Sequence, residues 1–91
     1  MKSILQTEKV CYITGRTDNL HKHHIFGGSN RKKSEANGFY VYLIPELHNM
    51  SDAGVHFNKK LDMQLKRDCQ RKYEETHSRE EFMHLIGRNF L

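Results

Sequence analysis

The stretch LHKHHIFGG (residues 20–28) contains three histidines within four positions and ends in two glycines. Its loose alternation of apolar and polar residues predicts a β-strand that places His21 and His23 on one face and His24 on the other. Adjacent imidazoles that point in different directions can have different tasks, because one can bind a cation while the other accepts a proton. Glycines lack side chains, so the end of this stretch would let a phosphate backbone approach closely.

The flanking residues predict a single α+β domain over residues 1–91. Residues 39–44 (FYVYLI) are rich in aromatic and β-branched side chains and predict a second strand. Residues 8–14 predict a short strand or a knuckle, residues 27–38 a polar loop, and Pro45 the first turn of a helix. Longer helices are predicted from an Asn58 cap to about Thr76, and from a Ser78–Glu81 capping box to Gly87.

The chain has 91 residues, a formal net charge of +4 and two cysteines. Its excess of positive charge favours a polyanionic partner. Two cysteines are too few for a disulfide framework, which predicts a reducing cytoplasm. No segment has the apolar length of a membrane span and the N-terminus is too polar for a signal peptide, so no membrane partner is expected. A domain of this size gains stability from a metal ion or a second subunit, and a homodimer is one option that the sequence leaves open.

Two downstream histidines, His48 and His56, can join one site only if the chain turns back between them. Metal–nitrogen bonds are about 2.0–2.1 Å long, so ligand nitrogens on one ion lie within about 3–4 Å of each other. Eight residues of straight helix would instead separate these histidines by about 12 Å. Residues 51–54 (SDAG) suit a break, because Ser and Asp cap helices and Gly accepts positive φ. If the helix ran on unbroken, Asp52 would share a face with His48 and would be the rival ligand.

Three segments, LHKHHIFGG, RKKSE and GFYVYLIPELHNMSDAGVHFNKKLD, together resemble the HNH endonuclease superfamily. In that superfamily a β-hairpin and a helix surround one divalent metal ion, an arrangement known as the ββα-metal fold. The resemblance is greatest to the small phage and prophage HNH proteins and covers about residues 11–65. It implies a ββα-metal core with added C-terminal helices, hydrolysis of DNA phosphodiester bonds, and a phage- or prophage-encoded protein in a bacterial cytoplasm.

The resemblance also implies a role for each histidine of the motif. His24 matches the general base, and His23 and His48 match ligands of the metal ion. His56 is the expected third ligand, with Asp52 as the alternative. Imidazole ligands suit zinc, nickel or cobalt, whereas magnesium prefers oxygen. The sequence leaves the working ion open among these metals and manganese.

Two further groups of polar residues are expected to support the histidines. The family has a middle Asn that braces the loop holding the base, and Asn37 is assigned to it, with Asn30 and Asn49 as alternatives. A basic triplet follows the glycines directly and is the predicted contact to DNA phosphates, which would make binding sensitive to salt. The residues of this triplet are Arg31, Lys32 and Lys33.

The sequence departs from many HNH proteins at the positions of a second, structural zinc ion. Two C-x-x-C knuckles hold that ion in the family, but here the four positions are Cys11, Thr14, Ile44 and Leu47. A structural zinc wants four ligands, and one thiolate does not supply them. No structural zinc is therefore expected, and Ile44 and Leu47 are predicted to pack as a small apolar cluster.

Two other classes of function fit the same sequence. The missing knuckle ligands favour a module that is derived from an HNH nuclease and binds DNA without cutting it. A structural or assembly metalloprotein of a phage particle is the other class. The intact pair of His23 and His24 favours the nuclease over the binding module.

Overall fold

The computed structural model describes residues 1–48, 54 and 58–91, which form an α+β arrangement. Strands β1 (His21–His24) and β2 (Tyr40–Leu43) pair antiparallel, with His23 opposite Val41 and His24 opposite Tyr40. The predicted α+β class and the two predicted strands are therefore confirmed. The helices of the described part are α1 (Arg31–Asn37), α2 (Pro45–His48), α3 (Lys59–Tyr73) and α4 (Arg79–Ile86).

The prediction of a polar loop over residues 27–38 is wrong. The segment forms a 3₁₀ turn (Gly28–Asn30) followed by α1, so a helix joins the paired strands in place of the predicted loop. Arg, Lys, Glu and Ala are good helix formers, and the polarity of the segment concealed this propensity. Gly38 ends α1 with a φ of 73°, a left-handed conformation that favours glycine.

Residues 8–14 do not form a strand, so the knuckle is the correct one of the two alternatives. The backbone N–H of Gly15 donates to the Cys11 carbonyl at 2.8 Å, and the N–H of Cys11 donates to the Arg16 carbonyl at 2.7 Å. The turn is attached to the sheet through the N–H of Tyr12, which donates to the Tyr42 carbonyl at 2.8 Å. This contact places the Cys11 turn beside β2.

The apolar core packs β2 and the end of β1 against α3 and α4. The predicted stripe of α3 is confirmed, because Leu65 and Cys69 are fully buried while Leu61 and Tyr73 pack against the core. Asn58 caps α3 by accepting a hydrogen bond from the N–H of Leu61 at 3.2 Å. The helix ends at Tyr73, three residues before the predicted Thr76. Other buried members of the core are Ile25, Phe26, Phe39, Val41, Leu43, Phe82 and Ile86.

Ile44 and Leu47 form the predicted apolar cluster together with Cys11, whereas Thr14 is exposed. Cys11 and Ile44 are buried in the core, and Leu47 packs against it. Burial raises the pKa of the Cys11 thiol, but hydrogen bonds from the Thr14 hydroxyl and from the backbone of Thr14, Ile44 and Ile13 outweigh it and lower the pKa overall.

The last helix has both predicted ends. Ser78 and Glu81 form a reciprocal capping box at the start of α4, and Gly87 ends the helix with a φ of 92°. Among the described residues, no helix combines the length and the apolar composition that crossing a bilayer requires.

Candidate functional site

Three histidines lie together on one face of the sheet. Strand alternation directs His21 and His23 to this face, and α2 begins directly after β2 and brings His48 to it. The Nδ1 atoms of His21 and His48 are 3.1 Å apart, and the ring centroids of His23 and His48 are 5.4 Å apart. His23 is buried, while His21 and His48 are half-buried. The structure thus brings together the two ligands that the sequence predicted, His23 and His48, and adds His21 beside them.

His24 points to the opposite face, as the alternation of the strand predicts. Its Nε2 lies 3.4 Å from a carboxylate oxygen of Glu35 in α1. The same carboxylate accepts a hydrogen bond from the Lys22 ammonium at 3.2 Å, and this ammonium also lies 4.2 Å from the centre of the Tyr40 ring. The Lys22 hydrogen bond, with a smaller contribution from His24, lowers the pKa of Glu35. Glu35 is therefore a carboxylate at neutral pH and can accept a hydrogen bond from a protonated ring nitrogen of His24.

The end of β1 is held in place by Ser34. Its hydroxyl donates to the Phe26 carbonyl at 2.7 Å and accepts from the Phe26 N–H at 3.2 Å, and Ser34 is fully buried. Asn37, the residue assigned to this bracing role, instead donates to the Lys33 carbonyl within α1 at 2.8 Å. Its alternative Asn30 donates to the Ile86 carbonyl at 3.1 Å. The side-chain contacts to Phe26 are thus made by Ser34, and the N–H of Ile25 donates to the Phe39 carbonyl at 2.9 Å.

The basic triplet lies in the first turn of α1 and is exposed. Lys33 donates to the Leu85 carbonyl at 2.9 Å and so joins α1 to the end of α4. Arg31 and Lys32 have no ion pair with any of the residues that the structure describes, so their charges remain available to a polyanion. The predicted DNA contact therefore rests mainly on Arg31 and Lys32.

The donor set fits a divalent transition metal in part. A nitrogen separation of 3.1 Å is close to the roughly 3.3 Å expected of two imidazoles on one tetrahedral ion with bonds of about 2.0–2.1 Å. Within residues 1–48, 54 and 58–91, no three His, Cys, Asp or Glu side chains are grouped closely enough to hold an ion. The predicted third ligand His56, its rival Asp52 and the alternative Asn49 lie outside the described residues. The expected break at residues 51–54 lies there too, apart from Gly54.

Comparisons of the chain with protein-family models, with curated proteins and with solved structures found no match.

Three residues of this site were not among those predicted from the sequence: His21, Ser34 and Glu35. His21 shares the face of His23 by the two-residue period of a strand, so the sequence contained a signal for it. Ser34 and Glu35 belong to the segment that was predicted to be a loop. An α1 prediction over RKKSEAN would have put both residues on an ordered element.

Proposed function

We propose that this protein is a metal-dependent HNH-type endonuclease that hydrolyses DNA phosphodiester bonds. The observation that supports this most is the division of the histidines across β1. His21, His23 and His48 cluster on one face, while His24 stands apart beside a carboxylate. Hydrolysis of a phosphodiester needs such a division, because one group must activate water while another stabilises charge on phosphate and on the leaving oxygen.

His24 is the proposed general base. When its Nε2–H donates to Glu35, the other ring nitrogen, Nδ1, has a lone pair that can accept a proton from the attacking water. Glu35 then fixes the tautomer and the orientation of the ring, and it stabilises the imidazolium that forms. The side chain of His24 is 15% exposed, which leaves room for water to reach it.

His23 and His48 are the proposed protein ligands of the ion, with a third expected from His56 or Asp52. His21 is an additional candidate, because its Nδ1 is 3.1 Å from that of His48. A bound divalent ion supplies charge stabilisation to the phosphate and to the leaving 3′-oxygen. Arg31 and Lys32 would contact the phosphates on either side of the scissile bond and position the strand.

The test is a plasmid-nicking assay with magnesium, manganese, zinc, nickel or cobalt on the wild-type chain and on His24→Ala. Removal of a general base lowers a rate by about 10²–10⁴-fold. We expect His24→Ala to lose cleavage by at least this factor and to retain its metal ion, as measured by elemental analysis. His84→Ala is the matched control, because His84 is an exposed histidine of α4.

Four results would contradict the proposal, two from the His24→Ala variant and two from the wild-type chain. Full cleavage by His24→Ala would exclude His24 as the base, and loss of the ion from this variant would make His24 a ligand. A wild-type chain that binds DNA but does not cut it with any of the five metals would be a binding module. A chain that holds metal without binding DNA would be a structural metalloprotein.

A further inference from the structure

The basic residues of α3 fall into two groups. Three of them are paired with acidic side chains: Lys66 with Asp62 at 2.9 Å, Arg71 with Asp68 at 3.6 Å, and Lys72 with Glu75 at 3.2 Å. The other three have no carboxylate within 4.0 Å anywhere in the part of the chain that the structure describes. These unpaired cations are Lys59, Lys60 and Arg67.

The unpaired cations are also together in space. Lys59, Lys60 and Arg67 line one shallow, open groove of about 500 Å³, and Met63 and Gln64 are also part of its lining. Gln64 adds an amide that can donate hydrogen bonds, and none of the described residues that line the groove is acidic. The groove therefore has three positive charges, a neutral donor and a small apolar contact.

Helix stability does not explain these cations. The N-terminal end of a helix has a partial positive charge that favours acidic residues, yet Lys59 and Lys60 occupy the first two positions of α3. Neither residue offsets this unfavourable placement with an ion pair to another residue of the described ranges. A local arrangement that disfavours the fold is expected where the residues serve a binding function.

We propose that this groove, lined by Lys59, Lys60, Met63, Gln64 and Arg67, binds the phosphodiester backbone of duplex DNA. Its position on α3 makes it separate from the basic triplet of α1. Eight residues of helix from Lys59 to Arg67 span about 12 Å. Phosphates of one DNA strand advance about 3.4 Å each along the duplex axis, so this span matches three to four phosphates. The choice of DNA as the polyanion rests on the proposed function, whereas the anion-binding chemistry does not.

The experiment measures DNA binding by fluorescence anisotropy, with a labelled duplex of about 20 base pairs in EDTA, at several salt concentrations. The test variant combines Lys59→Ala, Lys60→Ala and Arg67→Ala. Each lost phosphate contact reduces the slope of log affinity against log salt by about 0.9, so we expect a reduction of about 2.7. Circular dichroism verifies that the variant keeps its helices.

The matched control combines Lys66→Ala, Arg71→Ala and Lys72→Ala. This variant loses the same formal charge from the same helix, but it loses only cations that are already paired. We expect its slope to fall by less than one unit. An equal loss in both variants would mean that only the net charge matters, and an unchanged slope in the test variant would mean a solvated helix face. Either result would overturn the inference.

Two further arms identify the ligand. If the test variant reduced the slope of log affinity against log salt for single-stranded DNA but not for the duplex, the assignment to duplex DNA would be overturned. Tighter binding of polyaspartate than of the duplex, abolished in the test variant, would instead indicate an acidic protein partner. Binding in EDTA is independent of cleavage, so a chain that never cuts DNA could still show the expected slope change. In that case the proposed function fails and the inference about the groove stands.

Discussion

Replacement of Ser34 by Ala tests whether a single hydroxyl holds the end of β1. Ser34 is fully buried and makes two hydrogen bonds to the backbone of Phe26, two residues after the proposed base His24. Alanine removes the hydroxyl and leaves the N–H and the carbonyl of Phe26 without this partner. Phe26 itself is only 3% exposed, so water would not replace the lost bonds easily.

The cost follows from the two backbone groups. A buried polar group that loses its partner costs about 1–3 kcal/mol, so the loss of both bonds in Ser34→Ala should lower the free energy of unfolding by about 2–6 kcal/mol. For a domain of this size, the urea dependence of that free energy is about 1 kcal/mol per molar. The urea midpoint should therefore fall by about 2–6 M.

Urea denaturation followed by circular dichroism measures this shift, and Ser29→Ala is the control. Ser29 is an exposed residue of the 3₁₀ turn, and a surface substitution of this kind changes stability by no more than about 0.5 kcal/mol. If Ser34→Ala lowered the midpoint no more than Ser29→Ala, the Ser34 hydroxyl would not brace β1, and the reasoning would be refuted.

Two other perturbations probe the knuckle and the histidine cluster. Burial and the hydrogen bond to Asp68 raise the pKa of Tyr12 to about 12, whereas the phenol titrates near 10 in the unfolded chain. The stability that this raised pKa provides is fully present below pH 10 and is lost as pH rises through about 12. Burial also raises the pKa of Tyr73. Alkaline absorbance titration should therefore show, besides Tyr73, a phenol near pH 12 that is missing from Tyr12→Phe, and a wild-type titration complete near pH 10 would contradict the burial of the Tyr12 phenol. His21→Ala should weaken zinc or nickel binding by orders of magnitude in calorimetry if His21 is a ligand. Substitution of an outer-shell residue typically lowers metal affinity by about 10–100-fold. A loss no larger than this in His21→Ala would leave His23 and His48 as the proposed ligands from β1 and α2.

The elements that the sequence predicted well are those with local signals. The second strand is aromatic and β-branched, and α3 and α4 begin at residues whose side chains cap the adjacent backbone. Capping is a contact over three residues, so it requires no knowledge of the tertiary structure. The apolar stripe of α3 follows in the same way from a spacing of four residues. Its last member, Tyr73, is also the last residue of the helix. The stripe contains no signal for the end of the helix, so the predicted end at Thr76 was three residues too late.

The segment between the strands shows where local reasoning failed. Residues 27–38 begin with two glycines and are mostly polar, and both features are typical of a loop. Helix propensity was the better guide, since five of the seven residues of α1 are Arg, Lys, Glu or Ala. The error affected the site directly, because Ser34 and Glu35 reach β1 only from an ordered helix. A polar helix next to a strand is therefore a source of bracing side chains that polarity alone does not reveal.

The sequence determines which face of the strand each histidine occupies, but it does not determine which residues the histidines contact. The division between His23 and His24 needs only the alternation of a strand, so it holds in any fold that makes these residues a strand. The contact of His24 with Glu35 depends on α1, which lies between the two paired strands in the chain. The two residues are 11 positions apart, and neither strand nor helix periodicity predicts a contact at that separation. The same reasoning applies to the proximity of His48 to His21, which requires both the register of β1 with β2 and the immediate start of α2 at Pro45. A substitution that shifts this register by one residue would exchange the two faces of β1 and would put His24 in place of His23.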